Sequence, residues 1–140
     1  MWANYDYSLF PIVYVKFNQY IESDHDFNDF LTKWIILYQN KKEFSFIFDT
    51  CNVSAPNISY CFKMRKFIKK LKQFPKQYLQ KSIIIVSNSY IKYLLYLIFK
   101  FQKPVAPVYI YTNNDKEVNY NLLLKNIENN ELQGFTIVNP

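Results

Sequence analysis

Glycine is nearly absent from the sequence, with Gly134 the only one in 140 residues. A loop that cradles phosphates through its backbone needs several glycines, so a glycine-rich nucleotide-binding loop is excluded. Cysteine and histidine are almost as rare. Cys51 and Cys61 match no metal-ligand or redox spacing, and His25 lies between two aspartates at the start of a predicted helix. We therefore expect no metal site, no cofactor and no catalytic residue, and we interpret His25 as a surface side chain.

Long apolar runs are also missing. The longest candidate, from Tyr90 to Phe101, is interrupted by two lysines and is far shorter than the ~20 residues that cross a bilayer. The first six residues lack the basic start and apolar run of a secretory signal. Together with two isolated thiols, these features predict a reduced, cytoplasmic protein.

Acidic residues are absent from the long segment between Asp49 and Asp115. The same segment carries eleven basic residues: Lys63, Arg65, Lys66, Lys69, Lys70, Lys72, Lys76, Lys81, Lys92, Lys100 and Lys103. The two ends of the chain hold all eleven acidic residues, and the formal net charge is +6. If the fold keeps these regions apart, the molecule has a positive and a negative end.

Apolar and aromatic residues are abundant. They make up 50% and 20% of the chain, which is enough for a packed core in a single domain spanning residues 1–140. The composition favours residues with AT-rich codons, namely Asn, Lys, Ile, Tyr and Phe. This bias predicts an AT-rich genome, such as that of a protist, an organelle or a large DNA virus.

The hydrophobic pattern alternates between strand and helix periods. Strands are predicted at 12–17, 44–48, 82–86, 108–111 and 135–138, and helices after Ser23, at 58–71, from Ser89 to about Phe101, and from Asp115 to Asn126. The run 82–86 is typical of a strand that is buried on both faces. This alternation predicts an α/β fold with a mostly parallel sheet flanked by about four helices.

The second predicted helix is amphipathic, and every charge on it is basic. Apolar residues recur at helical spacing, namely Ile58, Cys61, Met64, Ile68 and Leu71. Six basic residues lie from Lys63 to Lys72, with no acid among them. Like charges three or four residues apart each cost about 0.2–0.5 kcal/mol in a helix. Such a face is either an ordinary solvated surface or one that meets an anionic partner.

Three stretches resemble the STAS family, the domain of bacterial anti-sigma-factor antagonists and anion-transporter tails. They are 11–17 with the helix after it, 44–53, and 83–88 with the helix and strand that follow. The resemblance implies a non-enzymatic module that docks protein partners. The stretch from Tyr78 to Phe99 has a weaker resemblance to CRAL-TRIO-like lipid-binding domains.

The STAS family has an Asp-Ser-Ser-Gly-like turn in which one serine is phosphorylated. In this sequence the matching positions are Asn57-Ile58-Ser59-Tyr60, so the resemblance implies that Ser59 takes the place of that serine. Three of the four positions depart from the family pattern. The alternative interpretation, which we favour, is that Ser59 is an ordinary residue at a helix start.

These observations predict a protein-interaction module that docks a protein partner through its basic second helix. An acidic protein is one candidate for this partner. The predicted partner-binding residues are Ser59, Lys63, Lys66, Lys69 and Lys70. Tyr93 and Tyr96 on the third helix form an interface if they are exposed beside Lys92 and Lys100. Nucleic acid, anionic lipid and self-association remain open as alternatives for the same basic face. An enzyme that uses Asp49, at the end of a predicted strand, is the least supported hypothesis.

Overall fold

The structure is a computed structural model that describes residues 1–113 and 118–140. Its elements are β1 (Ala3–Asp6), β2 (Ile12–Phe17), α1 (Asp24–Gln39), β3 (Phe44–Asp49), α2 (Ser59–Leu71), β4 (Leu79–Val86), α3 (Ser89–Phe101), β5 (Val108–Thr112), α4 (Tyr120–Glu128) and β6 (Phe135–Val138). The predicted α/β class is confirmed. None of the described helices combines the length and the apolar character needed to span a membrane.

The sheet is mixed, so the prediction of a mostly parallel sheet was wrong. Its six strands follow the order of the chain, β1-β2-β3-β4-β5-β6. The pairs from β2 to β5 are parallel, but β1 and β6 each run antiparallel to their neighbours at the two edges. β1 was not predicted, because the alternation of Ala3 and Tyr5 with Asn4 and Asp6 covers only four residues. β6 is antiparallel to β5 because the chain, after α4, runs back along β5 in the opposite direction.

Three helices cover one face of the sheet, and α4 covers part of the other. Each crossover from β2 to β5 leads to the next strand in the same direction. When every such crossover keeps the usual right hand, the connecting helices fall on the same face. The buried residues agree, since those of α1, α2 and α3 belong to one core cluster and Leu123 of α4 belongs to a second.

The two central strands are buried on both faces. All six residues of β3 are buried, as are residues 82–86 of β4. In β4, Ile84 and Val86 face the helices α1 to α3, whereas Ile83 and Ile85 face α4. The continuous apolar run in the sequence thus corresponds to a strand with no solvent-facing side, as predicted.

The last helix differs most from its predicted form. It begins at Tyr120, where the Asn119 side chain accepts a 3.0 Å hydrogen bond from the Leu122 amide. The predicted start at Asp115 lies outside the described residues. Leu123 is buried, whereas the neighbouring Leu122 is exposed.

Candidate functional site

Four of the five predicted partner-binding residues are exposed along α2. They are Ser59, Lys66, Lys69 and Lys70, and Lys72 at the end of the helix is exposed as well. Buried Cys61, Phe67, Ile68 and Leu71 hold the opposite side of α2 against the core. Within the described residues, no acidic side chain forms an ion pair with Lys66, Lys69, Lys70 or Lys72.

Lys63 differs from the other four because it has an acidic partner within the chain. Its Nζ lies 2.9 Å from Asp24 Oδ1 at the start of α1, and this contact lowers the pKa of the Asp24 carboxyl. The Lys63 ammonium also lies 5.0 Å from the centre of the Tyr60 ring. The predicted basic face is therefore partly neutralised at its first turn by the acidic end of the chain.

Arg65 joins α2 to α3. Its Nε and Nη2 donate hydrogen bonds of 3.2 and 2.7 Å to the Leu97 carbonyl oxygen. The guanidinium carbon lies 4.8 Å from the centre of the Phe62 ring and 4.5 Å from that of Phe101. Arginine is suited to this role because its planar cation donates in a fork and stacks on aromatic faces.

Aromatic rings extend this contact across α3. Lys100 Nζ lies 5.6 Å from the centre of the Phe101 ring and 5.7 Å from that of Tyr96. Tyr93 precedes Tyr96 by three residues, so the two rings share one face of the helix. Tyr93 and Tyr96 are 52% and 56% exposed, and their role in an interface stays a prediction.

The outer sides of the two helices thus form one continuous surface, which we call the aromatic–basic surface. It consists of Phe62, Arg65, Lys66, Lys69 and Lys70 of α2 and Tyr93, Tyr96, Lys100 and Phe101 of α3. Phe62 and Phe101 are 58% and 65% exposed, which is unusual for phenylalanine. Their rings are held in place by Arg65, so the surface presents apolar area beside unpaired positive charge.

Comparison of the chain with protein-family models, curated proteins and solved structures finds no match. The resemblance to the STAS family therefore stays a prediction, and so does the weaker one to CRAL-TRIO-like domains. Function has to be inferred from the geometry of the chain itself.

Ser59 occupies the first position of α2 and is exposed. Its backbone N–H donates a 2.8 Å hydrogen bond to Asn57 Oδ1. Asn57, where the STAS pattern usually has Asp, therefore satisfies one of the free amides at this helix end. This geometry agrees with the favoured interpretation of Ser59 as a first-turn residue, and the phosphorylation implied by the resemblance stays a prediction.

Asp49 is buried at the carboxyl end of β3, where sites in α/β proteins commonly form. Both of its carboxylate oxygens accept hydrogen bonds from within the chain. The Tyr120 hydroxyl donates to Oδ2 at 2.5 Å, and the Cys51 amide donates to Oδ1 at 3.0 Å. Asp49 therefore connects β3 and its following loop to the start of α4.

A cleft of about 900 Å³ opens beside this carboxylate. Asp6, Lys16, Asp49 and Tyr120 bring polar groups to its wall. Cys51, next to Asp49, is a poor candidate nucleophile, because burial raises the pKa of its thiol to about 11 and the thiol stays protonated near neutral pH. His25 is exposed in the first turn of α1 and does not line this cleft. Among the described residues, no three His, Cys, Asp or Glu side chains form a metal-binding group.

Sequence reasoning missed the most exposed rings of the aromatic–basic surface and the partner of Asp49. Phe62 had a detectable signal, since an apolar residue at that position falls on the same side of α2 as Lys66 and Lys69. Tyr120 had none, because it lies 71 residues from Asp49 along the chain.

Proposed function

We propose that the chain is a non-enzymatic interaction module that docks an acidic protein partner through the aromatic–basic surface. The observation that carries this proposal is the pair of exposed rings of Phe62 and Phe101, held around Arg65 and flanked by unpaired lysines. Aromatic residues and arginine are enriched in protein interfaces, where they supply large rigid contact area. The lysines around them favour acidic groups on the partner.

Arg65 favours a protein partner over nucleic acid. Arginine binds phosphate best when its fork of N–H donors is free, but two Arg65 donors are directed at the Leu97 carbonyl. The ammonium of Lys63 is also engaged, because it forms an ion pair with Asp24. The cations left for phosphate contacts are separate lysines, each acting as a point charge.

Self-association against the acidic α1 of a second copy is less favoured by the same contacts. Asp24 is paired with Lys63, and Asp29 lies 3.1 Å from Lys33 Nζ on its own helix. Docking α1 against the aromatic–basic surface of another copy would compete with both of these pairs. A separate acidic protein has no such cost.

A charge-reversal pair tests the proposal. We expect Lys66→Glu with Lys70→Glu to abolish recovery of a partner that binds the wild-type chain. The matched control is Lys42→Glu with Lys125→Glu, which makes the same change in net charge at exposed positions outside α2 and α3. The control should retain the partner. Undiminished binding of a folded Lys66→Glu, Lys70→Glu chain would contradict the proposal.

The aromatic part of the surface needs its own variant. We expect Phe62→Ser with Phe101→Ser to weaken partner binding even at high salt, because the lost contact is apolar. The alternative of nucleic acid or anionic lipid is tested by titrating labelled DNA, RNA and anionic vesicles at two salt concentrations. Tight binding that falls steeply with salt, as counterions are released, would replace the protein partner by one of these.

A further inference from the structure

Helices α2 and α3 lie side by side and run in the same direction. Three successive contacts join α3 to α2 and the residues just before it, namely Tyr90 with Pro56, Leu94 with Cys61, and Leu97 with Arg65. Each advance along α2 is matched by an advance along α3, so the two helices are parallel. Each has 13 residues and is therefore about 20 Å long. Two helices packed in this way leave a groove between their outer sides, into which a further helix can pack.

Exposed apolar side chains line this groove near the N-terminal ends of both helices. They are Ile58 and Phe62 on the α2 side and Tyr90 and Tyr93 on the α3 side. Ile58 and Phe62 are four residues apart, and Tyr90 and Tyr93 are three apart, so each pair lies on one side of its helix. Lys63 is the one basic residue in this half of α2, and it is paired with Asp24. This end of the groove is therefore mainly apolar.

Exposed lysines collect at the opposite end of the groove. They are Lys66, Lys69, Lys70 and Lys72 at the end of α2 and Lys100 and Lys103 at the end of α3. Among the described residues, no acidic side chain forms an ion pair with any of these lysines. Phe101 lies among them, with its ring against Arg65. The groove therefore changes from apolar to strongly basic along its length.

This gradient favours a helical segment as the part of the partner that binds here. An extended peptide gains affinity by adding a strand to a sheet, but only helices form this surface. A helix in such a groove presents apolar anchors at intervals of three or four residues. Those anchors meet Ile58, Phe62 and Tyr93, and acidic side chains farther along the same helix meet the lysines.

The distance between the two ends of the groove sets the length of that segment. Ile58 and Lys69 are separated by about 16 Å along the axis of α2. A single helix reaches from the apolar end to the lysines when it has about four turns. A shorter helix contacts one end only.

We propose that the acidic partner contributes an amphipathic helix of about four turns, which packs into the groove between α2 and α3. One half of this helix is apolar and covers Ile58, Phe62 and Tyr93. The other half is acidic and covers Lys66 and Lys69. The inference rests on the proposed function, because it names the part of the partner that the aromatic–basic surface binds.

A synthetic helical peptide of ~15 residues tests this proposal. One half carries leucines at intervals of three and four residues, and the other half carries glutamates. The control peptide has the same composition, but its leucines and glutamates are mixed along the whole length. Both are stapled to equal helicity, and fluorescence anisotropy measures their affinity for the wild-type chain. The control should bind about tenfold more weakly. Equal affinities, or no binding by the first peptide, would overturn the proposal.

A nitroxide label shows where each half of the bound peptide lies. A label at the acidic end should broaden the amide resonances of Lys69 and Lys70 most strongly. A label at the apolar end should broaden those of Ile58 and Tyr90 instead. Broadening of the same resonances by both labels would refute the extended placement along the groove. This experiment uses the wild-type chain, so it does not depend on any variant folding.

Substitutions at the apolar end test whether that end is covered. We expect Ile58→Ser with Tyr93→Ser to weaken binding of the first peptide about tenfold. The matched control is Tyr7→Ser with Leu122→Ser, which removes exposed apolar side chains outside α2 and α3 and should leave the affinity unchanged. Unaltered affinity of a folded Ile58→Ser, Tyr93→Ser chain would contradict the proposal.

The charge-reversal pair separates this inference from the proposed function. If the Lys66→Glu, Lys70→Glu chain loses its partner but the wild-type chain does not bind the first peptide, the helix is overturned and the proposed function stands. If the charge-reversed chain keeps its partner, the proposed function and the helix are both overturned.

Discussion

The Tyr120 hydroxyl at the start of α4 donates a 2.5 Å hydrogen bond to the buried carboxylate of Asp49 at the end of β3. This contact lies on the α4 face of the sheet, since Asp49 shares the side of β3 with Ile47, opposite the phenylalanines that pack under α1 to α3. Burial raises the pKa of the Tyr120 hydroxyl, and the hydrogen bond to Asp49 raises it further. The hydroxyl is therefore held in its neutral, donating form.

Tyr120→Phe should lower the free energy of unfolding by about 1–2 kcal/mol, because it removes a donor from a buried carboxylate. Urea unfolding measured by far-ultraviolet circular dichroism gives this value. Tyr109→Phe is the matched control, since the Tyr109 hydroxyl makes no hydrogen bond to the described residues. Equal stability of the two variants would mean that the Asp49 contact contributes nothing.

Arg65→Lys should destabilise the chain by about 1 kcal/mol, even though the charge is kept. Lysine cannot place two donors on the Leu97 carbonyl or stack a plane between Phe62 and Phe101. The measurement is again the urea midpoint. Lys66→Arg, an exchange in the opposite direction at an exposed position of the same helix, should have almost no effect. A neutral Arg65→Lys change would imply that the contact is only a charge interaction.

Stability should fall at alkaline pH as Tyr38 ionises. Burial raises its pKa to about 12, against an ordinary value of about 10 in the unfolded chain. A pKa that is raised on folding gives stability that is fully present below the unfolded pKa and is lost as the pH rises through the folded one. The free energy of unfolding should therefore decline between about pH 10 and 12.

Comparison of variants assigns this decline to its source. Tyr38→Phe should make the decline shallower, whereas Tyr20→Phe, at an exposed ring, should leave the slope unchanged. The measurement is denaturant unfolding repeated across the pH range. A slope that is the same in all three proteins would show that Tyr38 ionises as freely in the folded chain as in the unfolded one.

Gly134→Ala should lower the free energy of unfolding by about 1 kcal/mol or more. Gly134 has a φ of +86° before β6, a conformation that side chains disfavour, and an added Cβ would lie 3.4 Å from Tyr111 Cε2. Thermal unfolding detects the loss. Gln133→Ala, at the exposed neighbouring position, is the control and should keep the wild-type melting temperature. If both variants melt together, the turn tolerates a side chain.

Local patterns predicted every described element except β1, but the pairing of the strands and the contacts of the charged residues depend on the whole fold. The apolar run of β4 and the cap at Asn88, which accepts a 2.8 Å hydrogen bond from the Ile91 amide, are visible in a few adjacent residues. The antiparallel edges are not, because strand direction depends on connections between distant segments. The sequence shows Arg65 only as one of six basic residues in this helix, because its orientation toward Leu97 is set by how α2 and α3 pack.

The sheet ends on both sides in a strand of only four residues, β1 and β6. An outermost strand exposes unpaired amides and carbonyls that a foreign extended chain can join, and the number of such groups grows with strand length. Because both edge strands are this short, a further strand added to the sheet would form few new backbone hydrogen bonds. Either edge of the sheet therefore offers another chain only a short backbone segment to pair with.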